Sequence, residues 1–162
     1  MRISDFSYAK LQTKPKSLHT QCGTEGYVAP EILVHRPSYD HRCDMWTVGV
    51  IVFILLGGYR PFRGDTEDEI CQRIRYGEYK FHNNYWKKIS KEAKLLIKRM
   101  LTVDVDERIS AKEALRNSWF QIKKEQLQST DLSESLVGLK DTRSTAKAAV
   151  RISMTSSRLQ TR

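Results

Sequence analysis

The sequence predicts a mainly α-helical unit followed by a polar tail, and three observations predict it. The apolar run from Val48 to Leu56 lies between Asp44 and the pair Gly57 and Gly58, residues suited to opening and closing a helix. Three later stretches each begin with a hydroxyl residue able to cap a helix, at Thr66, Ser90 and Ser110. Beyond Lys124 the aromatic residues vanish and serine and threonine become frequent.

Arg2 to Ser4 read as a short strand, and the mixed stretch that follows to Thr20, interrupted by Lys10, Lys14, Pro15 and Lys16, reads as a polar loop. Periodicity alone leaves the apolar run open between a buried strand and a helix, because valine and isoleucine favour strands and no polar face is visible. Its length and flanking residues favour a helix buried on all sides, capped by Asp44. Thr66, with Glu69 three residues on, forms a capping box that opens a helix through Arg75. Ser90 opens the next, in which Ala93, Leu96, Ile97, Met100 and Leu101 recur at the spacing of an amphipathic helix. Ser110 and Glu113 open a third that runs to about Asn117 and leads to Trp119 and Phe120. All three need an apolar partner, and the central run is the obvious one. The tail cannot bury enough apolar surface to offset its ordering entropy, so it reads as disordered or marginally helical.

Composition narrows the function classes. The chain has 162 residues, 40% of them apolar, enough for one core of ordinary size. Cys22, Cys43 and Cys71 have neither the density of a disulfide framework nor the paired spacing of a zinc site, and read as free thiols in a reducing compartment. The apolar run is shorter than the roughly 20 residues that span a bilayer, and the amino terminus lacks the pattern of a secretory signal, so a cytoplasmic or nuclear protein with no membrane partner is expected. The net charge of +9 is spread among acids rather than interleaved with aromatics on one stripe, which does not predict nucleic-acid binding.

Four motifs then occur in order: Asp5 and Phe6 followed by Ser7; Gly23, Thr24, Glu25, Gly26, Tyr27, Val28, Ala29, Pro30 and Glu31; Asp44, Trp46 and Gly49; and Asp104 followed by Arg108. Together they resemble the carboxy-terminal half of a serine/threonine protein kinase, most closely the calcium/calmodulin-dependent group, over Arg2 to Phe120. The resemblance implies the helical C-lobe of the protein-kinase fold with its activation segment and no N-lobe. Residues 1–31 would hold the metal-binding motif and activation segment, 32–120 the helical lobe, and 121–162 the basic, Ser/Thr-rich tail.

By the same resemblance Asp5 holds magnesium against the phosphates of ATP, where a hard cation takes a carboxylate oxygen. Ser7 replaces a glycine, which alters the backbone angles open to that segment without touching the metal ligand. Thr20 stands where an activating phosphothreonine occurs, with Ser17 as the second acceptor. Thr24, Glu25, Gly26 and Tyr27 resemble the loop that receives the substrate residue after the phosphorylated serine or threonine. Thr24 there bonds the catalytic base and lysine. Glu25 replaces a common proline and would favour basic substrate residues, if it does not simply face solvent. Glu31 and Arg108 correspond to a scaffold ion pair, with Val105 in place of a usual proline. Asp44 and Trp46 belong to a central helix whose aspartate braces the catalytic loop, and without that loop Asp44 is left as a helix cap.

No catalytic residue is found in these 162 residues: there is no Gly-rich loop, no Val-Ala-x-Lys lysine, no glutamate partner helix and no His-Arg-Asp loop. The expectation is a partial kinase domain whose family reaction is ATP- and magnesium-dependent phosphorylation of protein serine and threonine. The chain alone is expected to be inactive and not to bind ATP. The alternative is a non-catalytic peptide-binding lobe. The segment Lys140 to Arg162, with a helix over Ala146 to Ile152, reads as a solvated linker or as a calmodulin-binding or inhibitory tail. Exposed apolar surface on the central helix, and poor solubility with it, is also expected.

Overall fold

The computed structural model describes residues 6–7, 9–14, 17–18, 23–34 and 38–121, so the strand expected at Arg2 to Ser4 and the tail lie outside the described residues. Helix is almost the whole of the regular structure there. The one β-type pairing is an isolated antiparallel bridge between Leu18 and Tyr39, which holds the chain entering the first helix.

The apolar run forms helix α1, Arg42–Gly57. Its start corrects the expectation for Asp44, which lies in the first turn and is exposed rather than at the cap. The position before the helix is His41, which makes no side-chain cap, and the carboxylate that meets the opening turn is Asp40, whose Oδ1 accepts the Arg42 amide at 2.9 Å. Asp44 keeps a lesser part in helix stability, a negative charge near the positive end of the dipole. At the other end Gly58 takes φ 76°, a left-handed angle that favours glycine, and its amide closes on the Ile54 carbonyl at 2.8 Å. Nor is α1 buried on all sides: Val48 and Leu55 are 40% and 47% exposed, because the other described elements pack on the opposite side.

Helix α2, Glu67–Tyr76, starts where Thr66 accepts the Glu69 amide at 3.2 Å, while the Glu69 carboxylate reaches the Asp65 amide instead of closing the box on Thr66. Gly77, at φ 64°, ends it one residue beyond the expected Arg75. Helix α3, Asn83–Trp86, was not foreseen, since four residues carry no periodicity. Helix α4, Lys91–Met100, is capped by Ser90 as expected and buries Ala93, Leu96, Ile97 and Met100. Helix α5, Ala111–Leu115, has the complete capping box of Ser110 and Glu113, but stops short of Asn117 and gives way to a 3-10 turn over Ser118–Gln121.

These elements share two apolar clusters. In the larger, Phe53 of α1 is ringed by Tyr59, Tyr79, Phe81 and Trp86 at centroid distances of 4.7 to 5.8 Å, and Trp46 stacks on Phe62 at 5.4 Å. Tyr59 ties the end of α1 to α3: its hydroxyl donates to the Lys80 carbonyl at 2.7 Å and accepts from the Trp86 indole at 2.9 Å and the His82 amide at 3.0 Å. The smaller cluster joins Met45 of α1 to Leu96 and Met100 of α4, with Ile109 and Ala114 beyond.

Close approach of α1 and α4 requires Gly49. A Cβ there would stand 2.7 Å from Met100 Cβ, which is fixed to the α4 backbone, and 3.0 Å from a Leu101 methyl. Gly49→Ala is expected to destabilise the fold by about 1–2 kcal/mol, after alanine's gain of roughly 1 kcal/mol in helix propensity offsets part of the overpacking. Urea unfolding followed by circular dichroism measures this, and an unchanged midpoint would show that the helices part without cost.

Candidate functional site

The site begins with a tight turn over residues 24–27, in which the Tyr27 amide donates to the Thr24 carbonyl at 3.1 Å. Gly26 takes φ 81° and makes that turn accessible to the chain. Thr24 and Glu25 are exposed on it, Gly26 is buried and Tyr27 is half-buried. Thr47 of α1 fixes its base, donating from Oγ1 to the Tyr27 carbonyl at 3.0 Å.

Immediately downstream, Pro30 starts a 3-10 turn, Pro30–Ile32, that carries Glu31 to Arg108. Their contact is bidentate: Nη1 to Oε1 at 2.7 Å and Nη2 to Oε2 at 2.8 Å. The guanidinium also donates to the carbonyls of Thr102, Arg42 and Val103, so every one of its N–H donors is engaged. Its charge lies 5.2 Å over the Trp46 ring, and the Arg108 side chain has no exposure to solvent. One residue thus joins the turn after residue 27, the first turn of α1 and the loop before α5.

Sequence reasoning missed the neighbouring Arg42. It pairs with the buried Asp40 at 3.0 Å and with the exposed Asp106 at 2.9 Å, and donates to the Val105 carbonyl at 3.0 Å. Asp40 and Arg42 are close enough in sequence to suggest a local bond, but nothing in the sequence points to Asp106. Burial alone would raise the Asp40 carboxyl; the hydrogen bonds and charge of Arg42 outweigh it and hold the group below the ordinary carboxylate value. A depressed folded-state value gives stability that is present above the unfolded value and lost as pH falls through the folded one. Asp40→Asn is therefore expected to lower the melting temperature at pH 7 and to flatten its decline below about pH 4, read from melting curves across that range.

Thr24, Tyr27, Cys43, Asp44 and Thr47 line one cleft of about 650 Å³. Thr24, Tyr27 and Asp44 are thus brought to a common surface, and Glu31, Trp46 and Arg108 are joined to one another. Asp5 and Thr20 lie outside the described residues. Cys43 is buried, and burial first, then the charges of Asp44 and Glu31, push its thiol up to about 12, which makes it an inert part of the wall rather than a nucleophile. Among the described residues no cluster of three histidine, cysteine or carboxylate side chains fits a metal ion. No helix among them is long and apolar enough to cross a membrane.

This helical unit, with a short loop locked to its central helix by a buried arginine, belongs to the protein kinase family: the model of the protein kinase domain matches residues 1–120. The chain is 45% identical over 119 residues to myosin light chain kinase A of Dictyostelium discoideum, an alignment covering 74% of this chain and 40% of that protein. It is 47% identical over 125 residues to calcium-dependent protein kinase 3 of Plasmodium berghei (strain Anka), covering 76% of the chain and 22% of the relative. With calcium/calmodulin-dependent protein kinase type 1 of Macrobrachium nipponense it shares 42% identity over 117 residues, 72% of the chain and 33% of the relative. The similarity is to kinases of the calcium/calmodulin-dependent group. The chain spans from about a fifth to two fifths of the length of these relatives.

Proposed function

We propose that residues 32–120 are the helical, substrate-facing lobe of a serine/threonine protein kinase, and that the turn at Thr24 to Tyr27 receives the protein segment to be phosphorylated. The observation that carries this reading is the double anchoring of that turn, by Thr47 to its base and by Glu31 and Arg108 just beyond it. A loop held in one conformation before its ligand arrives loses less entropy on binding, which is what a peptide-receiving surface requires.

The exposed Thr24 and Glu25 supply a hydroxyl and a carboxylate at the rim, and Tyr27 supplies an apolar face beside them. Asp44, exposed in the same cleft, accepts the Cys43 thiol at 3.8 Å and keeps acceptor capacity suited to bracing a backbone that packs there. Phosphoryl transfer depends on positioning ATP and its metal against a base, and these 162 residues offer no such set of groups. We therefore assign the lobe by itself peptide binding without transfer. The reaction of the whole kinase is ATP-dependent phosphorylation of protein serine or threonine.

Incubating the chain with labelled ATP, magnesium and a basic serine peptide tests the assignment. Bound peptide without incorporated label is expected, and incorporation above background would overturn it. Calmodulin binding through residues 140–162 is a separate proposal, decided by whether a peptide of that segment binds calmodulin in the presence of calcium.

A further inference from the structure

Arg60 lines a second cleft, of about 570 Å³, together with Arg63, Arg73, Lys80 and His82, with Glu78 as the one carboxylate. Its composition is unlike the rest of the described surface near the site. Arg42 and Arg108 are each paired with carboxylates, whereas among the described residues no ion pair engages the three arginines or the lysine of this cleft. Arg63 lies over the Tyr59 ring at 5.2 Å, a contact that orients a guanidinium without neutralising it. The Nε of Arg60 is shut off from solvent with no hydrogen-bond partner. Like charges gathered in a concavity repel one another and focus a positive potential, which an anion relieves.

Arg60 joins this cleft to the turn. Its guanidinium lies 5.9 Å from the centre of the Tyr27 ring, and its Nη1 is 3.9 Å from where a side chain on Gly26 would begin. We infer that the cleft binds an anionic side chain, a carboxylate or a phosphate ester, on a peptide docked across Thr24 to Tyr27. The inference rests on the reading of that turn as peptide-receiving, and it adds a specificity: an acidic or phosphorylated residue near the acceptor. Arginine forks match the planar edge of a carboxylate or phosphate, and a cleft of about 570 Å³ suits one or two side chains better than a nucleic-acid backbone, which needs a track of charge.

Fluorescence anisotropy with the 162-residue chain tests this, using three kinds of labelled serine peptide that differ only in alanine, glutamate or phosphoserine at the flanking positions, each made with the varied residues before and after the acceptor. The glutamate or phosphoserine peptide is expected to bind about tenfold more tightly than the alanine peptide. That preference should fall below about twofold in Arg63→Glu/Arg73→Glu, both exposed positions, and persist in Lys91→Glu/Lys98→Glu, which changes the net charge equally on α4. Stronger binding of phosphoserine than of glutamate assigns the cleft to a phosphate, and equal binding assigns it to any anion. Equal affinity for all three peptides overturns the inference and leaves the reading of the turn standing. A preference lost equally in the α4 variant reduces it to overall charge, and a single-stranded RNA that displaces the acidic peptide overturns it in favour of nucleic acid. Failure of every peptide to bind overturns the reading of the turn itself, and the inference with it. Thermal melting of each variant establishes that it is folded.

Discussion

Glu31→Ala lowers the stability of the chain by about 3–5 kcal/mol, the range expected when one partner of a buried ion pair is removed and the other stays. The cost arises mainly on the arginine side. Arg108 has no solvent exposure, so two of its N–H groups would be left without an acceptor and without water. Arg108→Ala is damaging for a different reason: it takes a donor from the carbonyls of Thr102, Arg42 and Val103 and takes the guanidinium off the Trp46 ring, while Glu31, 16% exposed, partly rehydrates. Arg108→Lys does not rescue, since one ammonium cannot bridge both carboxylate oxygens and three carbonyls. Because the two residues share one network, the double variant loses less than the sum of the singles. Chemical denaturation of the four proteins measures this, and a strictly additive double variant would mean that the pair contributes no coupling. Since a domain of this size has about 5–15 kcal/mol in all, Glu31→Ala brings the fold close to its limit. Peptide affinity at the turn should fall with it.

Phe53→Ala is expected to cost about 3–5 kcal/mol, as large aromatic truncations in cores do. Phe53 is fully buried on α1 and touches four other rings, from the loop after α1 to α3. Those rings are rigid and held in turn, Trp86 by the Tyr59 hydroxyl, so the site collapses little and most of the cavity remains. Phe53→Leu, which keeps much of the volume, should lose far less. If alanine and leucine proved equally mild under urea, the aromatic cluster would not be the keystone that its geometry implies.

The helices were legible in the sequence to the extent that local signals set them. Thr66, Ser90 and Ser110 each cap the helix expected of them, because a hydroxyl beside a free amide acts over three residues and needs no distant partner. Asp44 was misplaced because Asp40, four residues earlier, carries the same group, and which of the two meets the opening turn depends on where the chain bends. The bridge between Leu18 and Tyr39 decides that, and it is not a local feature. Helix α3 is held by Trp86 in a distant aromatic cluster and leaves no periodic trace. At the site, the contact of Glu31 with Arg108 spans 77 positions and was readable only through resemblance to a known family. Arg42 with Asp106, and the basic cleft assembled from three separate stretches, follow from packing alone.

Packing also accounts for the exposed Val48 and Leu55. They lie on a helix apolar all round, and the described elements cover only part of it. That uncovered side is expected to make the chain associate, which sedimentation would show as a concentration-dependent rise in mass and a constant monomer mass would contradict.

The most direct measurement is calorimetric titration of the 162-residue chain with magnesium and ATP, alongside a serine peptide titrated into the same preparation. Saturable heat is expected from the peptide and none from the nucleotide. Tight, metal-dependent nucleotide binding by the chain would contradict a lobe that binds peptide alone.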